Sequence, residues 1–264
     1  MQKRHQNRRR YFTELANTSR DYYLDYLRCC VSLGKGTRIL EIGCGEGGNL
    51  LPFAEVGCDV VGIDLSEWRI QRARSFFESC GRKGQFVSKD FLKATVPQDE
   101  AEKFDVILVH DVIEHIQPEQ KEPFLSHALR FLKHDGVVFV GFPAWQMPFG
   151  GHQQIVRGLV SKLPYVHLLP DTVYGWLIRL SGNSQASASE LLDIKQCRVS
   201  IERFERMAAN TGFHFARRTL WLVNPHYRQK FGLRPRVLWP WACNIMYVRN
   251  FYTTSAFYLL TVDQ

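Results

Sequence analysis

The sequence predicts an α/β fold: a Rossmann-like, mostly parallel sheet of about seven strands with helices on both faces and cap insertions. Three observations predict it. Short apolar runs alternate with helical patterns over residues 37–143, a glycine-rich turn follows the first run, and the rhythm returns after residue 198. The 264 residues, 45% of them hydrophobic, are enough for a sizeable core.

The elements follow one another in β-α order. The predicted strands are 38–42, 59–64, 85–89, 104–109, 137–142, 213–223 and 256–262. Helical patterns cover 11–33, 49–56, a segment beginning after Ser66, 118–133 with Asp135-Gly136 as its exit turn, and 201–210 capped by Ser200. Two irregular, aromatic stretches interrupt the pattern at 144–198, with a Ser-rich loop at 181–189, and at 224–250.

This pattern divides the chain into four parts. Residues 1–36 are a basic tail and helical lead-in, 37–143 the cofactor-binding core, 144–198 a cap insertion, and 199–264 the C-terminal part of the sheet with the second insertion. No apolar run approaches the ~18 residues of a membrane span. The polar N-terminus lacks the apolar core of a signal peptide. A cytoplasmic location is expected.

The distribution of charge and the spacing of the cysteines indicate what kind of partner the protein binds and whether it holds disulfides or zinc. Residues 1–143 hold 20 Lys/Arg and 20 Asp/Glu, whereas residues 144–264 hold 14 and 6, so the net charge of +8 lies in the second half. Lys3, Arg4 and the arginines at 8–10 form a separate basic tail. Such a field favours an anionic partner. The seven cysteines include no C-x-x-C pair, which predicts reduced thiols rather than disulfides or zinc.

The glycine-rich turn carries the first functional motif. Gly43, Gly45 and Gly48 satisfy G-x-G-x-x-G between a strand and a helix, and Asp64 ends the next strand. Such a loop brings backbone close to a ligand, and the acid can accept hydrogen bonds from ribose hydroxyls. The motif predicts an adenosine-containing cofactor and does not separate nicotinamide cofactors from S-adenosylmethionine.

Four further features separate these cofactors. They are Glu41 before the glycines, Asp90-Phe91 after the third strand, the Asp111 to Ile116 segment after the fourth, and Leu132 to Gly136 before the fifth. A carboxylate at position 41 suits a cationic ligand better than a pyrophosphate. In this order the motifs resemble those of the class I S-adenosylmethionine-dependent methyltransferases with small-molecule acceptors, such as the ubiquinone-pathway O-methyltransferases.

The resemblance implies a set of cofactor contacts. Glu41, Gly43, Gly45 and Gly47 would surround the methionine part, Asp64 would hold the ribose with Leu65 against the adenine, Asp90 and Phe91 would hold the adenine edge and face, and His110 and Asp111 would lie beside the transferring methyl. S-adenosylhomocysteine would be the product. The family's seventh strand, antiparallel at the sheet edge, would be residues 256–262.

An oxygen acceptor usually needs a base, and two histidines are candidates. They are His115, in a Glu-His-Ile turn that also recurs with a structural role, and His152, after the Phe149-Gly150-Gly151 sequence. The Asp111 to His115 segment also resembles the metal-binding turn of the ubiquinone-pathway enzymes. Because this turn is common without metal, no metal ligand is assigned.

The composition of the two insertions indicates what kind of methyl acceptor the protein binds. Aromatic and apolar side chains interleave there with Lys and Arg, which is typical of a cap over an active site or of a segment on an anionic membrane. The predicted function is transfer of a methyl group to an oxygen atom of a small-molecule acceptor. An anionic or lipid-linked acceptor is compatible with the basic and aromatic insertions. Nucleic acid is disfavoured, since no RNA-binding module and no Asn-Pro-Pro-Tyr motif is present. A nicotinamide-dependent oxidoreductase and a non-catalytic methyltransferase-like scaffold remain alternatives, and the oligomeric state stays open.

Overall fold

Eight strands form one sheet in the computed structural model, which describes residues 7–262. They are β1 (Arg38–Ile42), β2 (Asp59–Asp64), β3 (Gln85–Ser88), β4 (Phe104–His110), β5 (Leu132–Phe142), β6 (His214–Val223), β7 (Arg236–Val237) and β8 (Ser255–Thr261). Their order is β3-β2-β1-β4-β5-β8-β6-β7. β1 to β5 pair in parallel, and β8 is antiparallel to both β5 and β6. The predicted α/β class is confirmed, with one strand more than expected because β7 lies in the second insertion.

The last strand occupies an interior position, so its predicted place at the sheet edge is wrong. β8 is antiparallel, as expected, but hydrogen-bonds to β5 on one side and β6 on the other. Residues 256–260 are fully buried on both faces of the sheet. Their uninterrupted apolar run is typical of an interior strand, since an edge or one-faced strand alternates apolar and polar residues.

Helices cover both faces of this sheet. They are α1 (Arg8–Thr18), α2 (Leu24–Leu27), α3 (Leu51–Glu55), α4 (Glu67–Ser79), α5 (Lys121–Phe131), α6 (Asp171–Leu180), α7 (Gln185–Gln196), α8 (Ile201–Asn210), α9 (His226–Phe231), α10 (Pro240–Cys243) and α11 (Arg249–Tyr252). α1 to α4 contribute to one apolar cluster, and α5 and α8 contribute to the other. Alternate β1 residues therefore face opposite layers, Ile39 toward α1 to α4 and Leu40 toward α5 and α8.

Two local expectations differ from the structure. Asp135-Gly136 is not a turn: β5 begins at Leu132, and a register shift opposite Phe104 and Val106 accommodates the glycine within the strand. The predicted Ser-rich loop is largely α7, whose first turn is capped by the Ser184 hydroxyl accepting from the Ser187 amide. Ser184 caps the helix, Ser187 and Ser189 lie within it, and Ser181 is the C-cap of α6.

The first insertion has a small core of its own. α6 and α7 pack together through Tyr174, Ile178, Ala188 and Leu191. Within the described part of the chain, none of the helices combines the length and apolar character that crossing a bilayer requires. Lys3 and Arg4 of the basic tail lie outside the described residues.

A buried ion-pair network anchors the second insertion to α8. Arg249 donates to the Glu202 carboxylate at 3.0 Å and to Glu205 at 2.8 Å. Asn250 donates to the other Glu202 oxygen at 2.7 Å and accepts from the Ile201 amide at 2.8 Å. The hydrogen bonds from Arg249, Asn250 and the Tyr247 amide lower the pKa of Glu202 although burial opposes them. The network fixes where the chain enters β8.

Replacing Arg249 by Leu is expected to lower the free energy of unfolding by about 3 kcal/mol, because Glu202 would be left as an uncompensated buried charge. Chemical denaturation measures it. Arg20→Leu is the matched control: it removes an ion pair with Glu55 whose side chains are 40% and 33% exposed, and should cost less than about 1 kcal/mol. Equal losses in the two variants would contradict the anchoring role.

Candidate cofactor and acceptor site

The loop after β1 is held against its neighbours by glycine. The amides of Gly43 and Cys44 both donate to the Ile63 carbonyl, at 2.7 and 3.0 Å. Gly43 has a φ of +74°, and a Cβ there would lie 2.5 Å from Cγ2 of Val112 in the turn after β4. Only glycine allows both this conformation and this close approach. The loop therefore lies directly between the ends of β2 and β4.

Asp64 ties two loops together. One carboxylate oxygen accepts from the Gly45 amide at 2.9 Å and the other from the Ser66 amide at 2.8 Å. The side chain is 8% exposed, and Arg69 lies 3.9 Å from it. The residue predicted to hold the ribose therefore also orders the glycine loop and the start of α4.

Glu41 is a buried carboxylate with one oxygen in use. Asn49 donates to Oε1 at 2.7 Å, while Oε2 has no hydrogen-bond partner among residues 7–262. Burial raises the pKa of Glu41 to about 8, the Asn49 hydrogen bond opposes this, and Asp64 adds to it. A cationic ligand nearby would stabilise the ionised form of such a group.

Glu46, in the glycine loop itself, is a second buried carboxylate. Among the described residues neither of its oxygens accepts a hydrogen bond, and Nε of Arg8 lies 3.9 Å from Oε1. It lines a cavity of about 180 Å³ with Arg8 and Tyr11 of α1, Gly45 and His110. The cavity lies where the resemblance places the methionine part of the cofactor, with α1 as one wall.

The remaining predicted cofactor residues line an adjoining cavity of about 720 Å³. Its walls include Gly43, Asp64, Leu65, Asp90, Phe91, Asp111 and His115. Leu65 is 77% exposed, so its apolar surface faces solvent at this opening. Phe91 is only 5% exposed and packs against Phe124 and Phe131. One Asp90 oxygen accepts from the Leu92 amide at 3.1 Å. Gly47 lies away from this cavity, where a Cβ would approach Phe86 and Phe77.

His110 and Asp111 end β4 in different environments. His110 is buried, and its Nε2 lies 2.8 Å from the hydroxyl of Tyr23. Asp111 adopts a left-handed backbone with φ of +53°, and its amide donates to the Gly141 carbonyl at 2.9 Å. Asp111 lines both cavities already described and a third one. The sequence placed both residues beside the transferring methyl, and only Asp111 joins all three cavities.

The third cavity, of about 610 Å³, is built largely from the insertions. The first insertion contributes Met147, Phe149, His152 and Ile155, the second contributes His226, Tyr227 and Lys230, and Arg8, Tyr11, Arg69, Asp111 and Glu114 complete its charged and polar wall. Glu190 of the first insertion adds a third acid, so the wall carries three basic and three acidic side chains. This combination of apolar and charged side chains suits an acceptor that carries both a ring or chain and a charged or polar group.

His115, His152 and Glu114 converge beside this cavity. The two imidazole rings meet edge to face with centroids 5.0 Å apart. One ligand atom from each of the three residues lies within 4.8 Å of the others, and among the described residues neither Glu114 oxygen has a hydrogen-bond partner. Desolvation lowers the pKa of His115 to about 4 and also lowers that of His152, while burial raises the pKa of Glu114. Both histidines are therefore neutral at pH 7.

Sequence reasoning missed Lys121, which holds this turn. Its ammonium donates to the carbonyls of Ile113 and Ile116, and burial lowers its pKa to about 8. A lysine early in a helix gives no sequence signal for such a contact. The α1 residues Arg8 and Tyr11 and the α9 residues Tyr227 and Lys230 were missed as well, because only the tertiary fold brings these helices to the site.

Sequence comparison relates part of this chain to known methyltransferases. Residues 39–136 match the family described as a methyltransferase domain. Ubiquinone biosynthesis O-methyltransferases from Bartonella bacilliformis and Bartonella quintana are 30% identical over 131 residues and 32% identical over 157 residues. These alignments cover 47% and 56% of this chain and 50% and 60% of the relatives, so the chain spans about half the length of the curated relatives it matches.

Solved structures extend the likeness of fold to most of the chain. An S-adenosylmethionine-dependent methyltransferase from Clostridium acetobutylicum superimposes with a TM-score of 0.59 at 11% identity, over 94% of this chain and 92% of that one. The magnesium protoporphyrin IX methyltransferase of Synechocystis, solved with bound S-adenosylhomocysteine, gives 0.57 at 15% identity, over 94% and 84%. Residues 39–136 therefore match a methyltransferase domain, and the chain is similar over part of its length to ubiquinone biosynthesis O-methyltransferases.

Proposed function

We propose that the protein transfers the methyl group of S-adenosylmethionine to an oxygen atom of a small-molecule acceptor that is anionic or lipid-linked. The observation that carries this proposal is the position of Asp111, which lines the two cavities assigned to the cofactor and the cavity built from the insertions. A methyl carbon held near Asp111 would be within reach of an acceptor in the third cavity. The O-methyltransferase activity named for the relatives supports oxygen as the acceptor atom.

Different residues of the chain bind the two ends of the cofactor and position the acceptor. When bound, S-adenosylmethionine supplies an electrophilic methyl carbon on a sulfonium centre. Asp64, Leu65, Asp90 and Phe91 hold the nucleoside end, and Glu41, Gly43 and Gly45 surround the amino-acid end. Gly47, predicted to do the same, lines neither cavity and instead lies against Phe86 and Phe77. The acceptor oxygen is brought into line with the carbon–sulfur bond, which is the main contribution a transferase makes to such a displacement.

We assign removal of the acceptor proton to His152. It lines the acceptor cavity with Asp111, and its backbone is fixed in a left-handed conformation with φ of +54°. His115 packs edge-on against the ring and orients it. Because desolvation lowers the pKa of His152, the imidazole is neutral at pH 7 and its nitrogen can take a proton.

Glu114, His115 and His152 also have the donor chemistry of a divalent metal site. A metal there would be held by the two imidazoles and the otherwise unpartnered carboxylate, and would acidify an acceptor hydroxyl as a Lewis acid. His152 acting as a base and a metal ion held by Glu114, His115 and His152 are two mechanisms that use the same residues beside the acceptor. Only the metal-dependent mechanism would be inhibited by a chelator.

Replacing His152 by Ala is expected to lower kcat by about 100-fold and to leave the Kd for S-adenosylmethionine unchanged, because the residue lies on the acceptor side. His134→Ala, an exposed histidine at the opposite end of β5, is the matched control and should keep full activity. Since protonation of a base whose pKa is below 6.5 inactivates the enzyme, the acid limb of the wild-type pH–rate profile should lie below pH 6.5.

Activity measured in the presence of a chelator distinguishes a histidine base from a metal ion. With His152 as the base, turnover persists in EDTA. Loss of turnover in EDTA that magnesium restores would transfer the role to a metal held by Glu114, His115 and His152. An acid limb above pH 6.5, or a His152→Ala enzyme of wild-type activity, would contradict the base assignment altogether.

Glu41→Gln is expected to stabilise the free protein while weakening cofactor binding. The pKa of Glu41 is about 8 in the folded protein and about 4.5 in the unfolded chain. Between these pH values the unfolded chain has released the proton while the folded protein still holds it, so wild-type stability falls as pH rises through that window. The glutamine has no proton to lose. The stability gap should grow with pH to about 4 kcal/mol at pH 8.

Thermal denaturation between pH 5 and 9 measures this gap, and calorimetric titration measures the affinity for S-adenosylmethionine. Glu78→Gln, an exposed acid on α4, is the control. A gap independent of pH, or unchanged cofactor affinity, would contradict the role given to Glu41.

A further inference from the structure

Exposed apolar side chains are concentrated in the two insertions and in the two residues that follow the second insertion. Of 25 large hydrophobic side chains that are exposed among the described residues, nine lie in 155–180 and eleven in 231–252. The two groups meet where the Tyr165 ring lies 6.3 Å from that of Phe251. Scattered single residues of this kind are ordinary on a protein surface, but a concentration marks an interaction site.

The densest part is defined as the aromatic surface. It comprises Trp239, Trp241, Ile245, Met246, Tyr247, Val248, Phe251 and Tyr252, which are between 37% and 66% exposed. The rings of Trp239 and Trp241 stack at an interplanar angle of 13°. Eight such side chains within 14 residues are more than an insertion needs to pack against its own domain.

The backbone beneath this surface is fixed rather than loose. The Tyr247 amide donates to Glu202 at 2.9 Å, and the Tyr247 carbonyl accepts from Asn250 at 3.1 Å. Tyr247 is held at φ of +62°, a conformation that a bulky residue adopts only when its surroundings enforce it. The Arg249–Glu202 ion pair lies directly below. Buried polar contacts thus hold four consecutive apolar side chains, 245–248, in solvent.

Charge identifies the partner. Residues 224–252 contain five basic residues and no acidic one, and residues 144–170 contain Arg157 and Lys162 and no acidic one. Of the basic residues in the second insertion, Arg249 is buried in its ion pair, whereas Arg234 and Arg236 are exposed. Tryptophan and tyrosine prefer the headgroup level of a bilayer, and Lys and Arg beside them are attracted to anionic lipid.

We propose that the aromatic surface, with Arg234 and Arg236 beside it in sequence, docks the protein on the interface of an anionic membrane. Ile245, Met246 and Val248 favour this partner over a nucleic acid, because aliphatic side chains insert among acyl chains and do not stack on bases. The same insertion lines the acceptor cavity through α9. Docking would therefore bring that cavity to lipid-linked acceptors, a consequence that rests on the proposed function, whereas the docking itself does not.

Vesicle flotation of the full chain tests the docking without cofactor or acceptor. The wild-type protein is expected to float with phosphatidylcholine vesicles containing phosphatidylglycerol, and not with phosphatidylcholine alone. Arg234→Glu/Arg236→Glu should bind the anionic vesicles at least about tenfold more weakly. Arg82→Glu/Lys83→Glu makes the same change in net charge near the start of β3 and should bind like wild type.

A second pair tests the apolar contribution. Trp241→Ser/Met246→Ser, which removes two side chains that are 66% and 57% exposed, should also weaken binding while leaving the thermal midpoint unchanged. Three results would overturn the proposal: no flotation of the wild type with anionic vesicles, equal loss in both charge variants, or a self-association of the wild type that Trp241→Ser/Met246→Ser abolishes. Calorimetric binding of S-adenosylmethionine, measured on the same samples, shows separately whether the proposed function holds.

Discussion

The two hydrogen bonds accepted by the Asp64 carboxylate determine the geometry on which the rest of the site depends. They join the glycine loop after β1 to the first turn of α4, and the amides of Gly43 and Cys44 join the same loop to the Ile63 carbonyl. Val112, after β4, fills the space that a side chain on Gly43 would need. The carboxyl ends of β1, β2 and β4 are thereby fixed relative to one another, as expected for a ligand site at the end of a parallel sheet.

Burying carboxylates near this loop lowers the stability of the free protein, and binding of a cationic ligand can offset that loss. Glu41 and Glu46 each leave at least one oxygen without a hydrogen-bond partner in the described chain, and burial raises the pKa of both. A ligand with a sulfonium and an ammonium group carries the charges that would stabilise their ionised forms. The free protein is in this respect less stable than it could be, a common property of binding sites.

Strands of the core could be predicted from the sequence, whereas the way the insertions and helices build the site could not. Strands β1 and β2 coincide with their predictions, since apolar runs bounded by glycine and aspartate mark a buried parallel strand locally. The interior place of β8 depends on pairing with two distant strands. The use of Arg8, Tyr11, Lys121 and Lys230 at the site depends on how whole helices pack, which no local pattern encodes. His115 and His152 were both singled out, but their contact is visible only in the structure.

Calorimetric titration of the purified protein tests most directly whether the site around Asp64 binds S-adenosylmethionine. We expect micromolar binding of S-adenosylmethionine and S-adenosylhomocysteine, and no binding of NAD. Asp64→Ala should lose at least about tenfold in affinity, because two charge-assisted hydrogen bonds are removed, whereas Glu78→Ala should bind like wild type. Binding of NAD with none of S-adenosylmethionine, or no loss in Asp64→Ala, would contradict this assignment.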